Sequence, residues 1–310
     1  MAFQRILAVG VMALTACAGG EAASTDPAPE TATSNQPAII EAEVADAPPT
    51  QPSPEPVAPP EISITEGKLT QGGFIRGSLP ADTARATLGD EAIEFTDTGS
   101  FFAAFDRDSG GKLTLKATLN SGEVVAKELT VTPREWKIQR VNVAKGTGRS
   151  SEAWWQKRKP EWEAINAARA KQTAADGWKQ DFIWPVKGRI SGLFGRQRIY
   201  RGEPGSYHSG IDIAPGNGVP FVAPADGVVV LARTGFSLEG NLIIIDHGAG
   251  LNSAFLHASK IAVKEGEAVK QGQYIGNVGS TGRSTGPHLH WGLKWNSARL
   301  DPLLFTGPMD

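Results

Sequence analysis

His288 and His290 flank Leu289 directly after Gly286-Pro287, and this spacing constrains the surrounding fold more than any other feature of the chain. A Gly-Pro pair followed by apolar-polar alternation reads as the start of a strand. Residues two apart in a strand point to one face, with Cα atoms about 6.6 Å apart. The two imidazoles therefore share a face while Leu289 turns into a core, so the strand belongs to a sheet with one dry and one functional side. His-x-His occurs in many strands that do no chemistry. Here the remaining histidines strengthen it: all five (His208, His247, His257, His288 and His290) fall in the last third of 310 residues. One imidazole of the pair suits a metal, and the other can reach a water on that metal.

A second cluster lies in His208-Ser209-Gly210-Ile211-Asp212. Gly210, the β-branched Ile211 and Ile213, and Pro215 argue against a helix. On a straight strand His208 and Asp212 would stand about 13 Å apart, and Gly210 permits the bend that brings both to one metal. An imidazole nitrogen and a carboxylate oxygen are suitable zinc donors at about 2.0–2.2 Å, and three protein ligands with an open position are the pattern of a catalytic site. His208, Asp212 and one of the pair His288/His290 supply those three. The single cysteine, Cys17, excludes a thiolate site here and any intramolecular disulfide. His257 ends the apolar strand Ser253–Leu256 and can reach a metal-bound water. His247, before Gly248, is expected to be structural.

The rest of the chain divides by composition. Arg5 and the apolar run Ile6–Leu14 form a short export signal over 1–16, too short for a membrane span. Leu14-Thr15-Ala16-Cys17 resembles a bacterial lipobox, which implies a lipidated Cys17 and a membrane anchor, and the resemblance implies that Ala18 permits transfer to the outer membrane. Residues 17–60, rich in Ala, Pro, Glu, Thr and Ser, cannot bury enough apolar surface to fold and read as a disordered tether. Residues 61–145 carry short strands, the last at Trp136–Val143, between turns such as Asp108-Ser109-Gly110-Gly111. That pattern predicts an immunoglobulin-like antiparallel β-sandwich without catalytic residues, a module that docks on a cell-envelope protein partner or spaces the next domain. Residues 149–178 predict a linker helix with Pro160 at its first position and Gly177 after its end, its tryptophans anchoring the next domain. Residues 182–306 read as antiparallel β-sheet. The fold class is mainly β, as 36 Gly and 21 Pro also suggest. A net charge of −2 gives no nucleic-acid footprint.

The segment Trp184–Pro302 resembles the lysostaphin-type (LytM-domain) zinc metalloendopeptidases. Gly192-Leu193-Phe194-Gly195, His208-Ser209-Gly210-Ile211-Asp212, Phe255-Leu256-His257 and Gly279 to His290 carry the match. The resemblance implies His208, Asp212 and His290 as ligands of one Zn2+ per chain. It implies His257 and His288 as the catalytic pair, handling the water and the transition state. The implied substrate is the peptide cross-links between peptidoglycan stems in the periplasm. Two positions depart from the family: Trp291-Gly292 follows the last His where many members have an aromatic residue and Glu, and Phe255 replaces a Tyr, which removes a hydroxyl near the oxyanion. Some members lack ligands and activate other cell-wall hydrolases, so that role is the alternative function. The run Val263–Gln273 resembles the turns of biotinyl and lipoyl carriers, a reading that the export signal and the histidines oppose. Because every motif follows Phe182, the fragment from there onward is expected to fold and hydrolyse alone.

Overall fold

The computed structural model describes residues 59–145 and 151–309. The export signal, Cys17 and nearly all of the tether lie outside the described residues.

Seven strands form the first module: β1 (Ser63–Gly67), β2 (Phe74–Ser78), β3 (Thr83–Leu88), β4 (Glu91–Ile93), β5 (Ser100–Ala104), β6 (Lys112–Leu119) and β7 (Val124–Thr130). They make two antiparallel sheets, ordered β1-β2-β5 and β4-β3-β6-β7. Alternation explains the second sheet: Leu115 and Ala117 of β6 are fully buried, while Lys116 between them is exposed. The end strand β5, of sequence Ser-Phe-Phe-Ala-Ala, is buried on both faces, as a strand enclosed by two layers should be.

The eighth strand departs from expectation. β8 (Ile138–Val141) does not close the first module. It runs parallel to β10 (Gln197–Tyr200), which also pairs with β11 (Glu203–Pro204). The reason lies in Pro133 and the half-buried Trp136: the proline cannot donate to a sheet ladder, and Trp136 packs edge-on against Phe194 at 5.7 Å. The chain therefore leaves the first module at Pro133 and joins the second.

The large sheet is antiparallel and eight-stranded. Its strands are β9 (Arg189–Gly192), β12 (Ile211–Ala214), β14 (Gly227–Phe236), β15 (Gly240–Asp246), β16 (Leu251–Leu256), β18 (Ala268–Val269), β20 (Leu289–Trp295) and β21 (Ala298–Leu300). The order is β18-β14-β15-β16-β20-β12-β9, with β21 on β20. A small sheet of β13 (Pro220–Val222), β19 (Tyr274–Asn277) and β17 (Lys260–Ile261) flanks it. One face of the large sheet carries Leu289, Trp291, Leu293 and Trp295 of β20 into the main core, with Ile243, Ile245 and Phe255. That core continues into the first module: Phe305 stacks on Phe74 at 4.3 Å and lies 5.6 Å from Phe182, and Arg134 pairs with the buried Asp301 at 2.8 Å.

The other face is partly covered by α1 (Glu152–Arg169). Ala164, Ile165 and Ala168 pack there against Leu231, Leu242, Ile244 and Ala254. The helix is shorter than the 149–178 span expected, and Pro160 sits inside it rather than at its start. Ser151 is the N-cap, its hydroxyl accepting from the Trp154 N–H at 3.2 Å, with Glu152 in the first turn. These residues start the helix two turns before the proline, which forfeits only one internal hydrogen bond. The helix ends at Ala170, and Gly177–Lys179 is a separate 3₁₀ turn. Trp178 is a packing anchor as expected, but Trp155 and Trp162 are exposed. No helix among the described residues is long and apolar enough to cross a membrane.

Candidate metal centre

β12 and β20 are neighbours, with Asp212 opposite His290, so the two histidine motifs meet across one strand pair. Gly210 sits in a bend just before β12. Its second role is room: a Cβ there would lie 2.4 Å from the Trp291 carbonyl oxygen and 2.8 Å from His290 Nε2. On the other side of β12, Gly192 faces Asp212, and a Cβ there would lie 2.2 Å from the carboxylate.

Three donor atoms converge: His208 Nε2 lies 3.0 Å from Asp212 Oδ1 and 3.0 Å from His290 Nδ1, and the last two are 2.9 Å apart. The other nitrogen of His208 is fixed, because Nδ1–H donates to the Leu193 carbonyl at 3.0 Å. A neutral His208 therefore directs a lone pair from Nε2 into the triangle, where an imidazole nitrogen and a carboxylate oxygen already point. Three electron-rich atoms in mutual contact require a cation or a proton between them. Tetrahedral donors at about 2.0–2.2 Å from an ion stand about 3.3–3.6 Å apart, a few tenths of an ångström wider than this triangle, so the donor set fits a small divalent metal. Burial pushes the His208 pKa down, but the Asp212 carboxylate outweighs it and the net direction is up. Burial likewise raises Asp212, yet its bonds to His208 and His290 hold it far below the usual carboxylate range. Burial dominates at His290 and lowers its pKa.

His288 stands beside the triangle, its Nε2 3.7 Å from Asp212 Oδ1, while its Nδ1–H donates to the Gly286 carbonyl at 2.8 Å. Of the final pair, then, His290 enters the donor triangle and His288 does not. His257 packs against His288 with ring centroids 4.9 Å apart. Its Nδ1–H donates to the Thr281 carbonyl at 2.8 Å, and burial lowers its pKa, keeping it neutral near pH 7. Both rings thus have Nδ1 tied to backbone, so Nε2 is left as the free base. His257 has φ +66, an uncommon conformation for a non-glycine residue that is found at functional sites. Its N–H is held by the Glu239 carbonyl at 2.9 Å, and the Glu239 carboxylate is gripped by Arg158 of α1 at 2.6 and 2.8 Å.

His247 is structural. It is fully buried, donates from Nδ1 to the Asp226 carbonyl at 2.7 Å and accepts at Nε2 from Ser253 at 2.8 Å. Trp291, the aromatic half of the Trp291-Gly292 pair, donates to the same serine at 3.3 Å. Phe255, the other departure, is fully buried and stacks on Phe221 at 5.6 Å, on the core side of β16 and away from the triangle.

A groove of about 1520 Å³ passes the triangle, lined by His208, Asp212, Arg196, Arg198 and Arg283. Its far wall is Lys137, Ile138 and Gln139, around β8. Sequence reasoning missed this wall by assigning β8 to the first module. It also missed Arg107, which crosses between the modules: Nε donates to the Gly195 carbonyl and a terminal nitrogen to Gln197 Oε1, each at 3.2 Å. Gly192-Leu193-Phe194-Gly195 was visible as a motif, but not as the support of Asp212 and His208.

The sequence model of peptidase family M23 matches residues 206–302, from just before His208 to just past β21. These residues are an M23 peptidase domain. The chain is 44% identical over 116 residues to the peptidoglycan DD-endopeptidase ShyA of Vibrio cholerae, covering 36% of this chain and 26% of that protein. It is 38% identical over 122 residues to the murein hydrolase activator NlpD of Escherichia coli, covering 39% of this chain and 30% of that protein. The chain thus spans less than a third of either relative. A crystal structure assigned to peptidase M23 from Pseudomonas aeruginosa superposes with a TM-score of 0.60 at 26% identity, covering 77% of this chain and 95% of that one. The M23 domain and the antiparallel, mainly β architecture agree with the expected family and fold class.

Proposed function

We propose that the protein is a zinc-dependent endopeptidase that hydrolyses peptide cross-links of bacterial peptidoglycan. The observation that supports it most is the triangle of three lone pairs with two further imidazoles whose Nε2 atoms are free. His208, Asp212 and His290 hold one Zn2+, which when bound lowers the pKa of water towards about 7 and polarises a carbonyl. His257, kept neutral by burial, accepts a proton at Nε2 and returns it to the leaving amine. His288, its Nε2 3.7 Å from Asp212, is placed as a second acceptor beside the water, and once it has taken a proton there it can donate to the oxygen on which negative charge develops. Leu193, Thr281 and Gly286 carbonyls hold the rings in register, a support worth about 10–100-fold in metal affinity or rate.

The groove suits a peptide, and its arginines and lysines suit one that carries carboxylates. Identity to a peptidoglycan endopeptidase supports the substrate. Identity to a hydrolase activator supports the second reading, a domain that stimulates another enzyme, but both proposed catalytic imidazoles and all three donors are present here. The lipobox-like Leu14-Thr15-Ala16-Cys17 supports export and a lipid anchor at the outer membrane, and the first module docks on an envelope protein or spaces the peptidase domain. Digestion of purified peptidoglycan with the zinc-loaded protein, followed by mass spectrometry, is expected to release products cut at peptide bonds with intact glycan. A folded, zinc-loaded protein that cuts nothing yet accelerates a separate hydrolase would establish the activator reading instead.

A further inference from the structure

A second cavity, of about 210 Å³, lies between α1 and the large sheet and opens beside His290. Its charged lining is Arg158, Arg169, Lys294, Arg299 and Glu239. Arg158 is neutralised by a two-pronged contact with Glu239 and a third bond, at 2.8 Å, to Glu161. Arg169, Lys294 and Arg299 make no salt bridge among the described residues. The Arg169 Nε is shut off from solvent with no hydrogen-bond partner there. Asp106 and Glu91, outside the cavity, influence Lys294, and Glu239, in its lining and already held by Arg158, is the one carboxylate that influences Arg169. Burial and mutual repulsion lower the pKa of Arg169, to about 10, and that of Lys294. Two half-buried cations, Arg169 and Lys294, with the exposed Arg299 beside them, repel one another, and an anion between them offsets that cost.

The cavity's place along β20 identifies the anion. His290, Gly292 and Lys294 alternate on the face opposite Trp291 and Leu293, so the cavity floor continues the metal centre's own strand. Four steps along the strand separate His290 from Lys294, about 13 Å, which is about four residues of extended peptide. α1 roofs that end of the face.

We propose that this cavity is a carboxylate subsite, which receives a peptide carboxylate a few residues from the bond at the metal centre. It rests on the peptidase reading for the peptide, but not for the anion. Arg169 and Lys294 grip the carboxylate from the helix and the strand, and Arg299 adds charge from β21.

The test separates binding from cleavage. Calorimetry on the full chain compares tetra-alanine as the free acid, the same peptide as its C-terminal amide, and an amidated peptide of equal length with one glutamate. A charge-assisted contact predicts that the free acid binds about tenfold or more tightly than the amide. The glutamate peptide shows whether a side-chain carboxylate substitutes for the terminal one. The preference should fall towards unity in Lys294→Gln and in Arg299→Gln, two half-exposed or exposed positions where folding is expected to survive and which circular dichroism would check. Equal binding of acid and amide by the wild type, or a preference unchanged in both variants, overturns the subsite. Absent hydrolysis with the preference intact would instead overturn the peptidase reading and leave the subsite standing.

Discussion

Arg107→Ala tests whether the first module helps to hold the metal centre. The side chain is buried, and its guanidinium bonds the Gly195 carbonyl and Gln197 while lying 4.6 Å from the Tyr207 ring and 5.1 Å from the Trp136 ring. Each hydrogen bond from a charged donor contributes about 1.5–3 kcal/mol. The stacked rings add about 0.5–1 kcal/mol each. The partner Asp108 is exposed, so that ion pair adds little. Desolvation of the guanidinium offsets part of the sum, which leaves an expected loss of about 3–5 kcal/mol in urea unfolding followed by tryptophan fluorescence. A second effect reaches the metal. Gly195 N–H donates to the His208 carbonyl at 2.9 Å, and Leu193, two residues earlier, orients the His208 ring. Loosening that loop should weaken zinc binding about tenfold, the low end of the range for groups that support a ligand. Arg107→Lys keeps the charge but not the planar fork, and should recover less than half of the stability. An unchanged unfolding midpoint together with unchanged zinc affinity would refute the coupling.

Other expectations concern single positions. His290→Ala removes one of three donors and should abolish stoichiometric zinc, whereas His257→Ala should retain zinc and lose about 10²–10⁴ in rate; metal analysis of dialysed variants decides between them. Gly210→Ala places a Cβ 2.4 Å from the Trp291 carbonyl and should cost about 1–3 kcal/mol with weakened zinc binding, measured by melting and metal titration. His247 is held neutral when folded, its pKa lowered by burial to about 4. The unfolded chain binds the proton first, so this contribution is present above about pH 6.5 and is lost as pH falls towards 4, by about 3 kcal/mol in all; His247→Gln should flatten that part of the stability profile, and an unaltered profile would contradict the assignment. Cys17→Ala should move the protein from the membrane to the soluble fraction or stall its processing.

The donor set was legible because its parts are local in sequence and side-chain chemistry restricts the choices. His208, Asp212 and the pair at 288 and 290 announce themselves by residue type; strand periodicity puts His288 and His290 on one face, and the bend at Gly210 brings His208 to Asp212. Periodicity alone could not choose between His288 and His290. That choice depends on the register of β20 against β12, a long-range pairing. The helix was legible from its alanines, but Pro160 misled about its start, since the Ser151 cap outweighed one lost hydrogen bond. β8 misled for another reason: Ile138–Val141 has strand chemistry in either module, and its partner is set by Trp136 finding Phe194 almost sixty residues later. Arg107 carries no local signal, because an arginine in a turn usually faces water.

The parallel pairing of β8 with β10 bears on ancestry. A recombination break at residue 182 would carry the whole donor triangle into a new gene and leave behind the strand that walls the groove, with Arg107. Such a descendant would keep the donor triangle without that wall, and would have to acquire another strand for the free edge of β10. Selection on the groove therefore acts across the boundary that composition draws. The segment from the first module to the peptidase domain should be inherited as one unit, with substitutions on β8 tracking those on β10.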